Sequence, residues 1–305
     1  MFDEFISTPI VQIFDADLKK NKVELFIKRE DLTDPFISGN KYRKLKYNLI
    51  NAKENGFETL LTFGGAYSNH IHAVAYAGFK FGFKTIGIIR GEETKPLNPT
   101  LEDAASFGMN FHYVSRAEYR RKNEHDFISW LKMEFGNFYL IPEGGSNALA
   151  VKGCTEILSG VSHHFDHICC ACGTGGTIAG IISGLNGNHR IWGYPALKKG
   201  EFLKIDISNL IYDYNSKSYE NWDLITEYHF GGYAKYSFEL IKFINRFKKM
   251  HNIQLDPIYT GKLLFGIYDR INTGFYKHGE KILAIHTGGL QGIRGFNERF
   301  GNLIN

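Results

Sequence analysis

A chain of 305 residues exceeds what one hydrophobic core ordinarily organises, so two lobes are expected. Hydrophobic residues make up 43% of it and charged ones 22%, with 25 Phe and 17 Tyr, which supplies ample core material for a globular protein. The formal charge is only +4, and its basic residues are dispersed among acids; this speaks against nucleic acid as the natural partner and is compatible with a weakly positive pocket for an anionic small molecule.

The opening "MFDEFISTPIVQIF" carries two acids and no positively charged lead, so it does not read as a secretory signal, and no stretch is long enough to span a membrane. Four cysteines, three of them nearly adjacent, make a poor disulfide framework, and the cytoplasm is the default location.

In chain order, "KVELFIKRED" alternates Val23, Leu25 and Ile27 with polar neighbours as a half-buried strand does, and "LTDPF" supplies a turn. Helical "NKYRKLKYNLINAKENG", the apolar run "ETLLTFGG", helical "NHIHAVAYAGFKFG" and the run "KTIGIIRG" follow. This alternation is the grammar of a parallel sheet. It continues through "PTLEDAASFG", "NFHYVS", a long polar helix over 116–135, and "NFYLIPEGG". Then come "HICCACGTGGTIAGIISGL" as strand, glycine turn and helix, a helix with Phe238, Ile241, Phe243, Ile244 and Phe247 at helical spacing, and a last strand "KILAIHTGG".

Three strands therefore run into glycines at their carboxyl ends: Gly64-Gly65, Gly173-Thr174-Gly175-Gly176-Thr177, and Gly288-Gly289. That edge of an open α/β sheet is where ligands bind. The middle turn lets successive backbone N–H groups curl around an anion at a helix start, which suits a phosphate monoester. Ile178 stands where a dinucleotide fingerprint needs glycine, and no Gly-Lys-Ser/Thr follows to make a Walker loop. Taken alone, a tight strand-to-helix turn without a ligand explains the loop equally well. Ser68 and Asn69 at the next helix mouth are, taken alone, better explained as helix caps than as ligand contacts.

His163, His164, Asp166, His167, Cys169, Cys170 and Cys172 invite a metal hypothesis. Strand alternation sends Cys169 to one face and Cys170 and Cys172 to the other, and no second C-x-x-C completes a zinc site, so these cysteines read as small core residues.

"SGNKYRKLKYN" packs Lys41, Arg43, Lys44 and Lys46 behind a turn. Helical projection puts Tyr42, Leu45 and Leu49 on one stripe and leaves Arg43, Lys44 and Lys46 as helix-surface charges. Lys41 differs by its place in the first turn, where the helix dipole and its cationic neighbours favour the neutral amine. Such a lysine forms Schiff bases, and combined with a phosphate loop it is what pyridoxal 5′-phosphate requires.

With "TPI", "IKREDLT", "SGNKYRKL", "FGGAYSNHIHAVA", "IIRGE", "PEGGSN", "CGTGGTIAGI", "LDPIYTGK" and "IHTGG" in order, nearly the whole chain resembles the fold type II pyridoxal-phosphate enzymes, and within them the 1-aminocyclopropane-1-carboxylate (ACC) deaminase and D-cysteine desulfhydrase group. The resemblance implies an α/β fold like the tryptophan synthase β chain. It would have two open, twisted parallel-sheet αβα lobes with the cofactor between them, residues 1–43 with 149–305 forming the large domain and 44–148 the small one. It also implies a homodimer acting on a small amino acid.

Residue by residue, it makes Lys41 the Schiff-base lysine, Asn69 the partner of the cofactor phenolic oxygen, and Gly173 to Thr177 the phosphate cradle. Ser68 would stand near the cofactor, with the backbone amides of Asn69 and His70 holding the substrate carboxylate. Tyr233 and Tyr259 would face the substrate, and a neutral Thr287 would leave the pyridine nitrogen unprotonated. Ala66-Tyr67, His72 and "GYPALKKGEFLKI" depart from the family pattern, which bears on the substrate more than on the cofactor.

ACC deaminases typically carry glutamate after the tyrosine of "DP-x-Y"; here Thr260 stands there, as in desulfhydrase-like members. The favoured reaction is therefore α,β-elimination of D-cysteine, or a related β-substituted amino acid, to pyruvate, ammonia and sulfide. The alternative is ACC deamination to 2-oxobutanoate and ammonia, with Ser68, Tyr259 or Tyr233 as base or nucleophile. A non-enzymatic binder of a phosphorylated ligand is the reading of another class.

Overall fold

The computed structural model describes residues 6–305. Residues 1–5, which open both the stretch read for a secretory signal and the first domain span, lie outside the described residues.

An edge strand β1 (Ile10–Ile13), not anticipated from the sequence, is joined through α1 (Ala16–Asn21) to β2 (Glu24–Lys28) and pairs with it antiparallel. The expected alternation then appears as α2 (Asn40–Glu54), β3 (Thr59–Gly65), α3 (Asn69–Phe81), β4 (Lys84–Arg90), α4 (Pro99–Ser106) and β5 (Met109–Val114). The single helix expected over 116–135 is instead two, α5 (Arg116–Arg120) and α6 (His125–Phe135). Ser115 and Glu118 form a reciprocal capping box that opens α5, and residues 121–124 turn before α6 starts. Tyr119 is buried from α5 while Phe127 and Leu131 are buried from α6. The charged stretch between them has no apolar residue to hold it in one continuous helix.

The chain goes on through β6 (Tyr139–Ile141), α7 (Ala148–Thr155), β7 (His167–Cys172), α8 (Gly176–Leu185), β8 (Arg190–Pro195), α9 (Leu203–Asn215) and β9 (Trp222–Leu224). It closes with α10 (Phe238–His251), α11 (Thr260–Asn272), β10 (Lys281–Ile285) and α12 (Gly292–Phe300). Two sheets result. One has the order β1-β2-β10-β7-β8-β9 and is parallel apart from β1; the other, β5-β4-β3-β6, is wholly parallel. Apolar residues fill cores on both faces of each sheet, as crossover helices require. Along β7, Cys169 enters one core and Cys170 and Cys172 the other, following the predicted alternation. Among the described residues no helix is long and apolar enough to cross a membrane.

The reading of Arg43, Lys44 and Lys46 as helix-surface charges is overturned, because all three are buried. Helix α2 lies between the sheets: Leu45 and Leu49 join the core beside β3, while its other side packs on α7. Contact with α7 is close because Gly153 has no side chain; a Cβ there would fall 1.9 Å from the Arg43 carbonyl oxygen. Each cation finds a partner. Arg43 Nε donates to Glu30 Oε2 at 2.9 Å, and Lys46 Nζ to Glu156 Oε1 at 2.8 Å.

Candidate active site

The three glycine turns converge on one cavity of about 810 Å³ at the carboxyl ends of β3, β7 and β10. All twelve residues singled out from the sequence stand on its wall: Lys41, Ser68, Asn69, His70, the run Gly173, Thr174, Gly175, Gly176 and Thr177, and Tyr233, Tyr259 and Thr287. They come from segments up to 246 residues apart, from Lys41 to Thr287, which only the packing of the two sheets unites.

The loop 173–177 is built for close approach. Gly175 takes φ 80° as the N-cap of α8, and a Cβ on Gly176 would lie 2.8 Å from Lys44 Cε and Ser146 Oγ. Lys44, which the sequence reading passed over, is the loop's cation. Its Nζ donates to the Gly144 carbonyl at 2.7 Å and Ser146 Oγ at 2.8 Å, and reaches Thr174 Oγ1 at 3.3 Å. Burial, and then the charge of Lys41, pull its pKa down to about 7. Asn40 Nδ2 donates to Thr177 Oγ1 at 2.8 Å and ties the lysine-bearing helix to the far side of the loop. The one signal for Lys44 was its spacing of three from Lys41, which puts both on one helix face.

Lys41 is the second residue of α2, pinned beside the third glycine turn. Asn40 N donates to the Thr287 carbonyl at 3.1 Å, and a Cβ on Gly39, at φ 69°, would collide with that same oxygen. The Lys41 amine is lowered to about 8. Burial is the dominant cause, with Cys154 opposing it; the charges of Arg43 and Lys44 invoked from the sequence are not among its causes. A glycine cradle that side chains would fill, a cation at its rim and a deprotonatable lysine fit a cofactor with a phosphate at one end and an aldehyde at the other.

At the mouth of α3, Ser68 is the N-cap, and its Oγ accepts from His70 N at 3.2 Å and Ile71 N at 3.4 Å. The amide of His70 is thus already engaged by a long bond that a carboxylate would have to displace. His70 is buried, its Nε2 lies 2.8 Å from Thr62 Oγ1, and burial holds its pKa well below the usual imidazole value. The Asn69 amide faces the third turn, where a Cβ on Gly289 would fall 2.8 Å from its Nδ2.

On the opposite wall, the Tyr233 and Tyr259 rings stand 6.3 Å apart, edge to face. Burial pushes both phenols up, Tyr259 far up, so both stay protonated at neutral pH. Lys262, one turn into α11, holds this wall in place. Its buried Nζ donates to the carbonyls of His229 at 2.9 Å and Gly232 at 2.8 Å, the latter immediately before Tyr233. Burial lowers this lysine to about 8. Thr260 turns away from the cavity: its Oγ1 donates to Asp256 Oδ1 at 2.7 Å, and Asp256 in turn accepts from the amides of Ile258, Tyr259 and Thr260 at the start of α11.

A family profile described as pyridoxal-phosphate dependent enzyme matches residues 2–288. The chain belongs to that family. A protein of Pyrococcus horikoshii named putative 1-aminocyclopropane-1-carboxylate deaminase is 32% identical over 291 residues, covering 92% of this chain and 89% of that one. The Arabidopsis thaliana mitochondrial protein named bifunctional D-cysteine desulfhydrase/1-aminocyclopropane-1-carboxylate deaminase is also 32% identical, over 90% of this chain and 74% of its own. A crystal structure described as an ACC deaminase homologue superposes with a TM-score of 0.85 at 31% identity, covering 98% of this chain and 94% of that one. The fold is therefore fold type II, the cofactor pyridoxal phosphate, and the protein a pyridoxal-phosphate-dependent lyase of the ACC deaminase and D-cysteine desulfhydrase family. The alternative of a non-enzymatic phosphorylated-ligand binder falls with that membership.

Proposed function

We propose that the protein catalyses α,β-elimination of D-cysteine, or a related β-substituted amino acid, to pyruvate, ammonia and sulfide. The observation that carries this reading is the Lys41 amine, held at about 8 by burial while the other candidate bases are held protonated or occupied. When bound, pyridoxal phosphate supplies an electron sink for the charge that develops at the substrate α carbon. The loop 173–177 with Lys44 would hold its phosphate, Lys41 would bond its aldehyde, Asn69 would meet its phenolic oxygen, and Thr287 would face its ring nitrogen without protonating it. Lys41 Nζ would take the substrate α proton; an amine with a pKa near ambient pH is suited to that task. Tyr233 and Tyr259, protonated, donate hydrogen bonds to the departing substituent. The amides at the start of α3 and the Ser68 hydroxyl orient the substrate carboxylate.

ACC has no α proton, so opening its ring would call for Ser68, Tyr233 or Tyr259 as base or nucleophile. Both tyrosines are pushed up by burial, and Ser68 Oγ is engaged as a cap. Thr260, in the place where ACC deaminases typically carry glutamate, offers no carboxylate to the cavity. These features favour elimination. Keto acid release from D-cysteine, L-cysteine, D-serine and ACC, assayed side by side, tests the choice: pyruvate from D-cysteine without 2-oxobutanoate from ACC is expected, and the reverse would overturn it. We also propose that residues 1–43 with 149–305, and 44–148, act as two units, and that the chain forms a homodimer. The membership of the two sheets supports the first division, although the 43/44 boundary falls inside α2. Light scattering of the purified protein tests the dimer.

A further inference from the structure

At the carboxyl edge of the four-stranded sheet, the cavity wall carries three cations and one carboxylate. Arg90 ends β4, Arg116 follows β5, Lys122 follows α5, and Glu143 follows β6; all four line the cavity. Lys122 Nζ lies 3.4 Å from Glu143 Oε2, which accounts for one charge of each sign. Among the described residues neither Arg90 nor Arg116 meets a carboxylate, since no ion pair of either is found there. The arrangement is anchored. The buried ring of Tyr119 carries Arg90 on one contact and Lys122 on another, each 5.3 Å from its centroid, and the Tyr119 hydroxyl donates to Glu143 Oε1 at 2.8 Å.

Glu143 balances Lys122 beside the Tyr119 ring and leaves the charge of Arg90 without a carboxylate, at a sheet edge where an added anion is favourable. The cofactor phosphate has its own cation in Lys44 and its own loop. The substrate carboxylate has the start of α3. On this edge of the four-stranded sheet two guanidinium groups remain, both exposed at the cavity rim, while a third, Arg299, lines the cavity from α12; the positive charge of Arg90 opposes the burial that pushes the Tyr233 phenol up. The other carboxylate on the cavity wall, Asp206, comes from α9, on the six-stranded sheet's side.

We infer that Arg90 and Arg116 receive a second anionic group on the substrate, so that the preferred amino acid carries an oxyanionic β substituent, such as a sulfonate, sulfate ester or phosphate ester. This deepens the elimination reading above and rests on it. The step balances: the α proton leaves to Lys41, the Cβ–X bond breaks with its electron pair on X, and the oxyanion departs as sulfite, sulfate or phosphate. The released enamine takes up water to give pyruvate and ammonium. Bidentate guanidinium groups match such oxyanions in shape as well as charge.

The experiment compares pyruvate release from O-phosphoserine and O-sulfoserine, in both enantiomers, with release from D-cysteine and 3-chloroalanine, in wild-type holoenzyme and in Arg90→Gln and Arg116→Gln. Wild type should favour an anionic substrate over 3-chloroalanine in kcat/KM by at least about tenfold, and each variant should cut that ratio by about tenfold or more, chiefly through KM. Retained visible absorption of the bound cofactor shows that a variant is folded. In wild type, inorganic sulfate should inhibit competitively, with an inhibition constant that rises about tenfold in Arg90→Gln. Turnover of D-cysteine or 3-chloroalanine with an unchanged ratio in both variants, or sulfate inhibition that is not competitive, overturns the inference and leaves the elimination reading standing. Bound cofactor with keto acid from none of these substrates overturns both.

Discussion

Replacing Lys44 with methionine keeps most of the stem volume and removes the ammonium, so it isolates the charge that the 173–177 loop depends on. In the apo cavity that ammonium rests on one carbonyl and two hydroxyls and has been lowered to about 7 by burial and by Lys41. A phosphate dianion in the cradle supplies its missing counter-charge. A hydrogen bond to a charged group contributes ~1.5–3 kcal/mol, so Lys44→Met should weaken phosphate binding by about 10- to 150-fold. The sign of the pH dependence follows. Phosphate raises the Lys44 pKa in the complex above about 7, so the complex holds more protons than the free protein, and affinity is full below pH 7 and falls as pH rises above it. Lys44 should take up about half a proton on binding at pH 7 and more at pH 8. Pyridoxine 5′-phosphate is the proper probe, because it carries the phosphate without the aldehyde and so excludes bond formation with Lys41. Calorimetric titration of apo protein between pH 7.5 and 9, in two buffers of different ionisation enthalpy, measures affinity and proton uptake together. A Lys44→Met protein that binds within threefold of wild type, or takes up the same protons, would refute the assignment.

Lys262→Met should leave the His229 and Gly232 carbonyls without their buried donor and cost about 2–4 kcal/mol of stability in urea denaturation. It should also lower kcat, as Tyr233 loses its place against Tyr259; an unchanged kcat would show that the 229–233 segment holds itself. Glu30→Gln strips the buried Arg43 guanidinium of its nearest carboxylate and should cost about 3–5 kcal/mol, read as a shifted denaturation midpoint. A loss below about 1 kcal/mol would mean that Glu156 and the Ile6 carbonyl suffice. Lys41 and Lys262 at about 8 and Lys44 at about 7 all lie below the unfolded lysine value, so the unfolded apo chain binds more protons than the folded one. Apo stability should therefore rise from pH 7 to 9.5; a midpoint that falls over that range would contradict the burial of these amines.

The three strands ending in glycine, the alternation that gives a parallel sheet, and the alternation along β7 were all legible, because glycine runs and period-two patterns are local and hold whatever surrounds them. So was the candidacy of Lys41, whose place in the first turn of α2 and whose meeting with the glycine-marked loop 173–177 in one cavity the structure bears out. The break between α5 and α6 was not, because it turns on Tyr119 and Phe127 both reaching one core, and that core is made with β3 and β4 from elsewhere in the chain. β1 escaped notice as four residues whose strand character comes from its partner β2.

The sequence by itself determined the family and the cofactor, and it put forward Lys41 and the loop 173–177 as the residues to hold that cofactor, since these rest on residue identities in a fixed order. Only the tertiary structure decided what the other cations of "SGNKYRKLKYN" are for. Periodicity assigns a helix face to water by default, but α2 is covered on both sides, and each cation left without water must find a partner: Arg43 took Glu30, Lys46 took Glu156, and Lys44 took Gly144, Ser146 and Thr174 at the rim of the 173–177 loop. For Lys44 and Lys46 the carbonyl or acid within reach is supplied by segments about a hundred residues away, and no local pattern can carry that information.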